Sequence, residues 1–208
     1  MNQGFLDAVE VTLALLREPE VAARWDEPSA LAEMTVGALA DHLGGQVLSG
    51  ARGLTDPSWS ARGEAVSLVE HYRRSVWVGA SVDSEANVGI RESAAASAAA
   101  GPEAVVARVQ TARDSLSPWP EHAPVTMSMP HWEWSMTTDD FLTTRMMEMV
   151  VHADDLCAGL EVGTPVFPPT VTGPVYALLL AIAEDQHGQA AVTRALTRQE
   201  RAGSIVVF

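Results

Sequence analysis

Apolar residues recur at helical spacing along most of this chain. Phe5, Val9, Leu13 and Leu16 share one face, which predicts a helix from Asn2 to about Leu16, extendable toward Trp25. Pro28 and Ser29 mark a turn. Thr35 suits the N-cap of a second helix reaching Gly50, with Val36, Leu39, Leu43 and Val47 as its inward stripe. The segment 51–63, rich in Gly, Pro and Ser, reads as a loop. A third helix is predicted from Glu64 to about Val78. A fourth runs from Ser84 to Leu116, kinked or split at Gly101–Pro102.

The segment 117–136 holds four prolines and cannot be a regular helix, although Val125–Met129 suits a short strand. Its tryptophans and methionines either line a substrate mouth or close one end of a helical bundle. Thr137 or Thr138 then caps a long helix, with Asp139 and Asp140 in the first turn where acids suit the helix dipole. A helix over about Val171–His187, with Gly188 as its C-cap, a short helix near Ala190–Arg201 and a possible strand Ser204–Phe208 complete the chain. No internal repeat is visible. The pattern is mainly α: a four-helix bundle over residues 1–165, with a short helical extension over 166–208 packed on it.

One helix breaks the ordinary pattern. Thr143–Leu160 carries Met146, Met147, Met149, Val150, Val151, Leu156 and Cys157, which suit a core, yet also Arg145, Glu148, His152, Asp154 and Asp155. At about 100° per residue, Arg145, Glu148, His152 and Asp155 fall within an arc of roughly 80°. Apolar residues flank that stripe on both sides, and Asp154 points elsewhere, toward solvent. Polar groups aimed into a bundle interior must be paired, hydrogen-bonded or bound to metal. The i, i+4 spacing of Glu148 and His152 lets both bind one cation. It is equally the spacing of a pair that only stabilises its own helix.

Composition removes whole classes of function. The formal net charge is −14, with 13 basic against 27 acidic side chains, so phosphate binding through counterion release is a poor fit and no nucleic-acid partner is expected. All 13 basic residues are Arg. The single Cys157 excludes an intramolecular disulfide or a CxxC zinc site, and reads as packing rather than a nucleophile. The N-terminal stretch is amphipathic and acidic, unlike a secretory leader, and Val175–Ala183, the longest apolar run near the end, is far short of the roughly 20 residues of a membrane helix. A cytoplasmic protein with no membrane partner is expected.

A third ligand would turn the Glu148–His152 pair into a site. His187 lies at a polar helix end and reads as surface; His122 and His131 lie in the proline-rich loop; His71 sits in a charged stretch. His42 adjoins the Val36/Leu39/Leu43 stripe at the edge of an inward face. Alone it reads as a satisfied core histidine. With Glu148 and His152 it completes a His/His/Glu set, the three-ligand arrangement of catalytic zinc with a fourth position open.

The stretches "MTVGALADHLGGQV" and "TTRMMEMVVHADDLCAGLEVGTP", with the tail "AVTRALTRQERA", resemble the mycothiol-dependent maleylpyruvate isomerase family of the DinB-like metal-binding superfamily. The likeness spans roughly Phe5 to Arg201. It implies an up-down-down-up four-helix bundle, His42, Glu148 and His152 as zinc ligands, and mycothiol as thiol cofactor. The absence of Lys accords with the high-GC actinobacterial hosts of mycothiol. The expected activity is a zinc-dependent, mycothiol-using isomerase or S-transferase acting on a small electrophile. Its alternatives are a thiol-independent zinc hydrolase or lyase and a non-enzymatic metal-binding module. Arg145 and Asp155 are read either as groups that orient a ligand or bind an anion, or as a buried Arg–carboxylate pair. A monomer or homodimer is expected. Characterised isomerases carry a further C-terminal α/β domain, whereas about 40 residues follow Pro169 here. The resemblance therefore bears on the metal bundle more than on maleylpyruvate as substrate.

Overall fold

The computed structural model describes residues 2–208. Helices α1 (Asn2–Leu16) and α2 (Pro19–Ala23) lead into α3 (Val36–Thr55), whose first turn is capped as the sequence indicated: the Thr35 hydroxyl accepts from the Ala38 N–H at 3.1 Å. Strand β1 (Glu64–Ala65) and helix α4 (Leu68–Arg74) follow, then α5 (Glu85–Ala98) and α6 (Pro102–Asp114). Between α5 and α6 the chain turns at Gly101, whose φ of 86° is open to glycine, and Pro102 starts the next helix. Strands β2 (Thr126–Met127) and β3 (Trp134–Thr137) precede the longest helix, α7 (Thr138–Leu160), capped by Thr137 accepting from the Asp140 N–H at 3.0 Å. Helices α8 (Pro169–His187) and α9 (Gln189–Thr197) end the order.

The architecture is mainly helical. Helix α3 lies along α7 and is flanked on its other side by α5 and α6, while α1 touches α3, α6, α7 and α8. Phe5, Leu13, Leu39, Leu43, Phe141, Met146 and Met149 are sealed between these helices. Fully burying one such side chain contributes about 1.5–3 kcal/mol, so this layer dominates the stability of the fold. The small sheet has the order β1–β3–β2, with β1 parallel and β2 antiparallel to β3. It spans the end of α7 that begins with Thr138. No helix among the described residues is long and apolar enough to cross a membrane.

The structure departs from the sequence reading at four places. First, α3 continues to Thr55 rather than ending near Gly50. Gly50 serves contact, not turning: a Cβ there would stand 2.1 Å from the Phe5 ring, so only glycine lets α1 approach. Second, the expected helix Glu64–Val78 shrinks to Leu68–Arg74, because Glu64 and Ala65 pair with Trp134 and Ser135 and Ser67 caps the helix start. Third, β3 was not anticipated. Fourth, Ser204–Phe208 forms no strand. His187 donates from Nε2 to the Val206 carbonyl at 2.8 Å, and the Phe208 ring packs against Tyr72 and Trp77.

Candidate metal centre

The contact between α3 and α7 brings together groups 106 and more positions apart in the chain. His42 faces α7 from α3; Glu148 and His152 face back from successive turns of α7. One ligand atom from each lies within 4.8 Å of the others. Glu148 Oε2 is 3.1 Å from His152 Nε2 and 4.0 Å from His42 Nε2, and the two imidazoles meet edge to face at 4.8 Å between centroids. Ligands at about 2.0–2.1 Å from a tetrahedral zinc stand about 3.3–3.5 Å apart, so closing the longest separation by up to about 1.5 Å converts this set into a coordination shell. All three side chains keep some exposure, between 12% and 23%, so the cluster opens to solvent rather than being sealed.

The chemistry of the donors fits a divalent metal. The His152 Nδ1 lies 3.0 Å from the Asp155 carboxylate, which holds the Nδ1 proton and leaves Nε2, beside Glu148, as the ligating nitrogen. Burial alone lowers the His152 pKa, but hydrogen bonds and charges from Asp155 and Glu148 outweigh it and hold the imidazole up at about 9. His42 is pushed down to about 4, first by burial and then by the facing His152. Burial raises Glu148, yet the His152 hydrogen bond with the charges of His152, Arg145 and His42 brings it well below the ordinary range. One protonated histidine thus stands where a cation between three ligands would stand. Asp155→Asn should therefore weaken zinc binding by about 10–100-fold while leaving the helical fold intact, as read by calorimetric titration and circular dichroism.

Arg145 shares the stripe but not the pairing considered for it. No carboxylate forms an ion pair with it among the described residues. Its Nη1 donates instead to Gln46 Oε1 at 2.6 Å and its Nε to Thr144 Oγ1 at 3.1 Å, with the guanidinium 5.3 Å from the Phe141 ring centroid. Gln46 is buried at 5% exposure and its Nε2 donates to the His42 carbonyl at 3.1 Å, tying Arg145 to the helix that carries His42. The hydrogen-bond partner of Arg145 on α3 is thus an amide rather than a carboxylate, and its charge acts on Glu148 without a direct ion pair.

The other candidates separate cleanly. His122, His131 and His187 are exposed and away from the cluster; Asp154 is exposed and accepts from Thr164. Cys157 is fully buried, and burial raises its thiol pKa, which suits packing. Met127 and Met136 close the core, whereas Trp132 stays partly open. Sequence reasoning missed Gln46 and set His71 aside as part of a charged stretch. Gln46 had a signal, since it follows His42 by four positions on one helix face. His71 had none: its charged neighbours hide that it is buried at 3% exposure against Trp132 and Trp134.

Comparison with known proteins adds one match. The family model of the mycothiol maleylpyruvate isomerase N-terminal domain matches residues 5–157, from the first turn of α1 to the last turns of α7, and so includes His42, Glu148 and His152. No curated protein and no solved structure matches the chain. With most of its length covered, including both helices that form the cluster, the chain belongs to the mycothiol maleylpyruvate isomerase N-terminal domain family.

Proposed function

We propose that this protein is a zinc-dependent, mycothiol-using isomerase or S-transferase for a small electrophilic substrate. The observation that carries the reading is the convergence of His42, Glu148 and His152 across the α3–α7 contact, inside the segment that defines the family. Helices α1, α3, α6 and α7 are read as the up-down-down-up bundle, residues 1–165, and α8 and α9 as the extension, 166–208, packed on it. A cytoplasmic monomer or homodimer completes the proposal.

His42, Glu148 and His152 would hold the zinc, which would supply a Lewis acid able to bring a thiol to its thiolate near neutral pH. The chain's own groups then have distinct tasks. Asp155 fixes the ring orientation of His152 through Nδ1. Gln46 holds Arg145 on the stripe, where its guanidinium would meet an anionic part of the substrate. A thiolate bound at the cluster would supply reversible C–S bond formation with a conjugated carbon, the π electrons passing to the conjugated carbonyl as an enolate. Expulsion of the thiolate after rotation would give isomerisation, and protonation of the enolate would give transfer. Turnover of activated alkenes that needs both zinc and mycothiol supports the reading. Zinc-dependent hydrolysis without thiol would replace it with the hydrolase or lyase alternative, and no turnover with metal loaded would leave a binding module.

A further inference from the structure

Helix α4 carries two buried polar side chains, His71 and Tyr72, to which the proposed mechanism gives no task. His71, on α4, accepts the Trp134 indole N–H at its Nδ1, 3.2 Å away. An indole nitrogen can only donate, so the His71 proton sits on Nε2, which has no partner among the described residues. Burial pushes the imidazole down to about 4, with the Arg145 charge acting in the same sense, so it stays neutral and donating at physiological pH. The next residue, Tyr72, is 3% exposed and its hydroxyl has no hydrogen-bond partner. A buried hydroxyl left unpaired costs about 1–3 kcal/mol unless something supplies an acceptor.

A chain of ring contacts joins these residues to Arg145, on the same stripe as Glu148 and His152. The His71 ring packs on Trp132 at 4.6 Å, Trp132 meets Phe141 at 6.1 Å, and Phe141 lies under the Arg145 guanidinium. The charges of Arg145 and Glu148 are those that act on both His71 and Tyr72. Arg145 spends Nη1 and Nε on Gln46 and Thr144, leaving Nη2 without a partner among the described residues. Donors of His71, Tyr72 and Arg145 are therefore strung along one aromatic wall, the first two within reach of the same Arg145 and Glu148 charges.

We infer that His71, Tyr72 and Arg145 form a subsite that hydrogen-bonds an anionic oxygen of the small substrate, a carboxylate above all, with Trp132 as its wall. This deepens the zinc–thiol reading and rests on it for the substrate's other end. In this arrangement His71 is a specificity-determining donor whose Trp134 bond fixes its tautomer.

The test compares two thiols that differ only in a carboxylate, 3-mercaptopropionate and propanethiol, titrated into cobalt-substituted protein and followed by the cobalt absorption bands. The wild type should prefer the acid by at least about 10-fold, since hydrogen bonds to a charged group contribute about 1.5–3 kcal/mol. Arg145→Gln should abolish the preference. His71→Phe and Tyr72→Phe should each narrow it while propanethiol affinity holds. His71→Gln should retain it, because its amide oxygen can accept from Trp134 and its amide nitrogen donate in place of Nε2. Equal affinities in the wild type, or a preference that survives His71→Phe and Tyr72→Phe, would overturn the subsite. Failure to hold cobalt would sink the metal reading alone. The subsite is then read in metal-free protein, where 3-mercaptopropionate but not propanethiol should give a saturable change in tryptophan fluorescence; no such difference overturns it there too.

Discussion

His152→Ala is expected to lower zinc affinity by more than about 100-fold, beyond the effect of losing a residue that merely orients a ligand. The same substitution should destabilise the metal-free protein. His152 bonds Glu148 at 3.1 Å and Asp155 at 3.0 Å, so its removal takes a partner from two carboxylates, with Glu148 only 12% exposed. Breaking such a pair from one side costs on the order of 3 kcal/mol, which in a chain of this size lowers Tm by roughly 6–12 °C. His122→Ala, at an exposed histidine outside the cluster, should change neither quantity. Calorimetric titration with zinc and thermal unfolding followed by circular dichroism read the two effects separately. A His152→Ala protein that binds zinc like the wild type would remove this residue from the ligand set.

The second large effect is on pH. In the metal-free protein, His152 has a folded pKa of about 9 against an ordinary 6.5. A raised histidine contributes stability that is complete below the unfolded value and is lost as pH rises through the folded one. About 3 kcal/mol should therefore disappear between pH 6.5 and 9. His42 and His71 act in the opposite sense, each lowered to about 4. The unfolded chain takes up their protons first as pH falls, so each removes about 3 kcal/mol between pH 6.5 and 4. Denaturant unfolding of metal-free protein should thus show a stability maximum near pH 6.5, falling on both sides. Zinc should erase the alkaline limb, because a divalent ion takes the place of the His152 proton. For the same reason its apparent affinity should rise about tenfold per pH unit up to about pH 9. A flat stability profile from pH 6.5 to 9 would show that His152 is not held protonated by Glu148 and Asp155.

Much of this site was legible before any coordinates. The Glu148–His152 spacing and the narrow polar stripe within an apolar helix follow from helix geometry alone, and the structure places that stripe on the face of α7 that meets α3. His42 could be chosen among the histidines because it bordered an inward stripe with a recognisable cap at Thr35. The break at Gly101–Pro102 and the cap at Thr137 are equally local, fixed by backbone chemistry at one or two residues.

What stayed hidden depends on contacts distant in the chain. Gly50 reads as a helix terminator in isolation, and only the Phe5 ring packed over it explains why the helix continues. Glu64 and Ala65 lose their helical role to partners near Trp134, about 70 positions on. For Arg145 the sequence left a carboxylate partner open as one of two readings, and the acceptor is the Gln46 amide, which hydropathy does not single out. His71 is hidden by Glu70, Arg73 and Arg74, whose side chains point away to bond one another and Asp185. Burial of that histidine is a property of the fold, and its local sequence carries no trace of it.

The central claim, a His42–Glu148–His152 metal site that works with a thiol, is tested most directly by titrating mycothiol into cobalt-substituted protein. The expected result is one cobalt per chain, with absorption bands that shift saturably as mycothiol is added and that are absent in the His152→Ala protein. Bands that ignore mycothiol, or cobalt held equally well without His152, would contradict it.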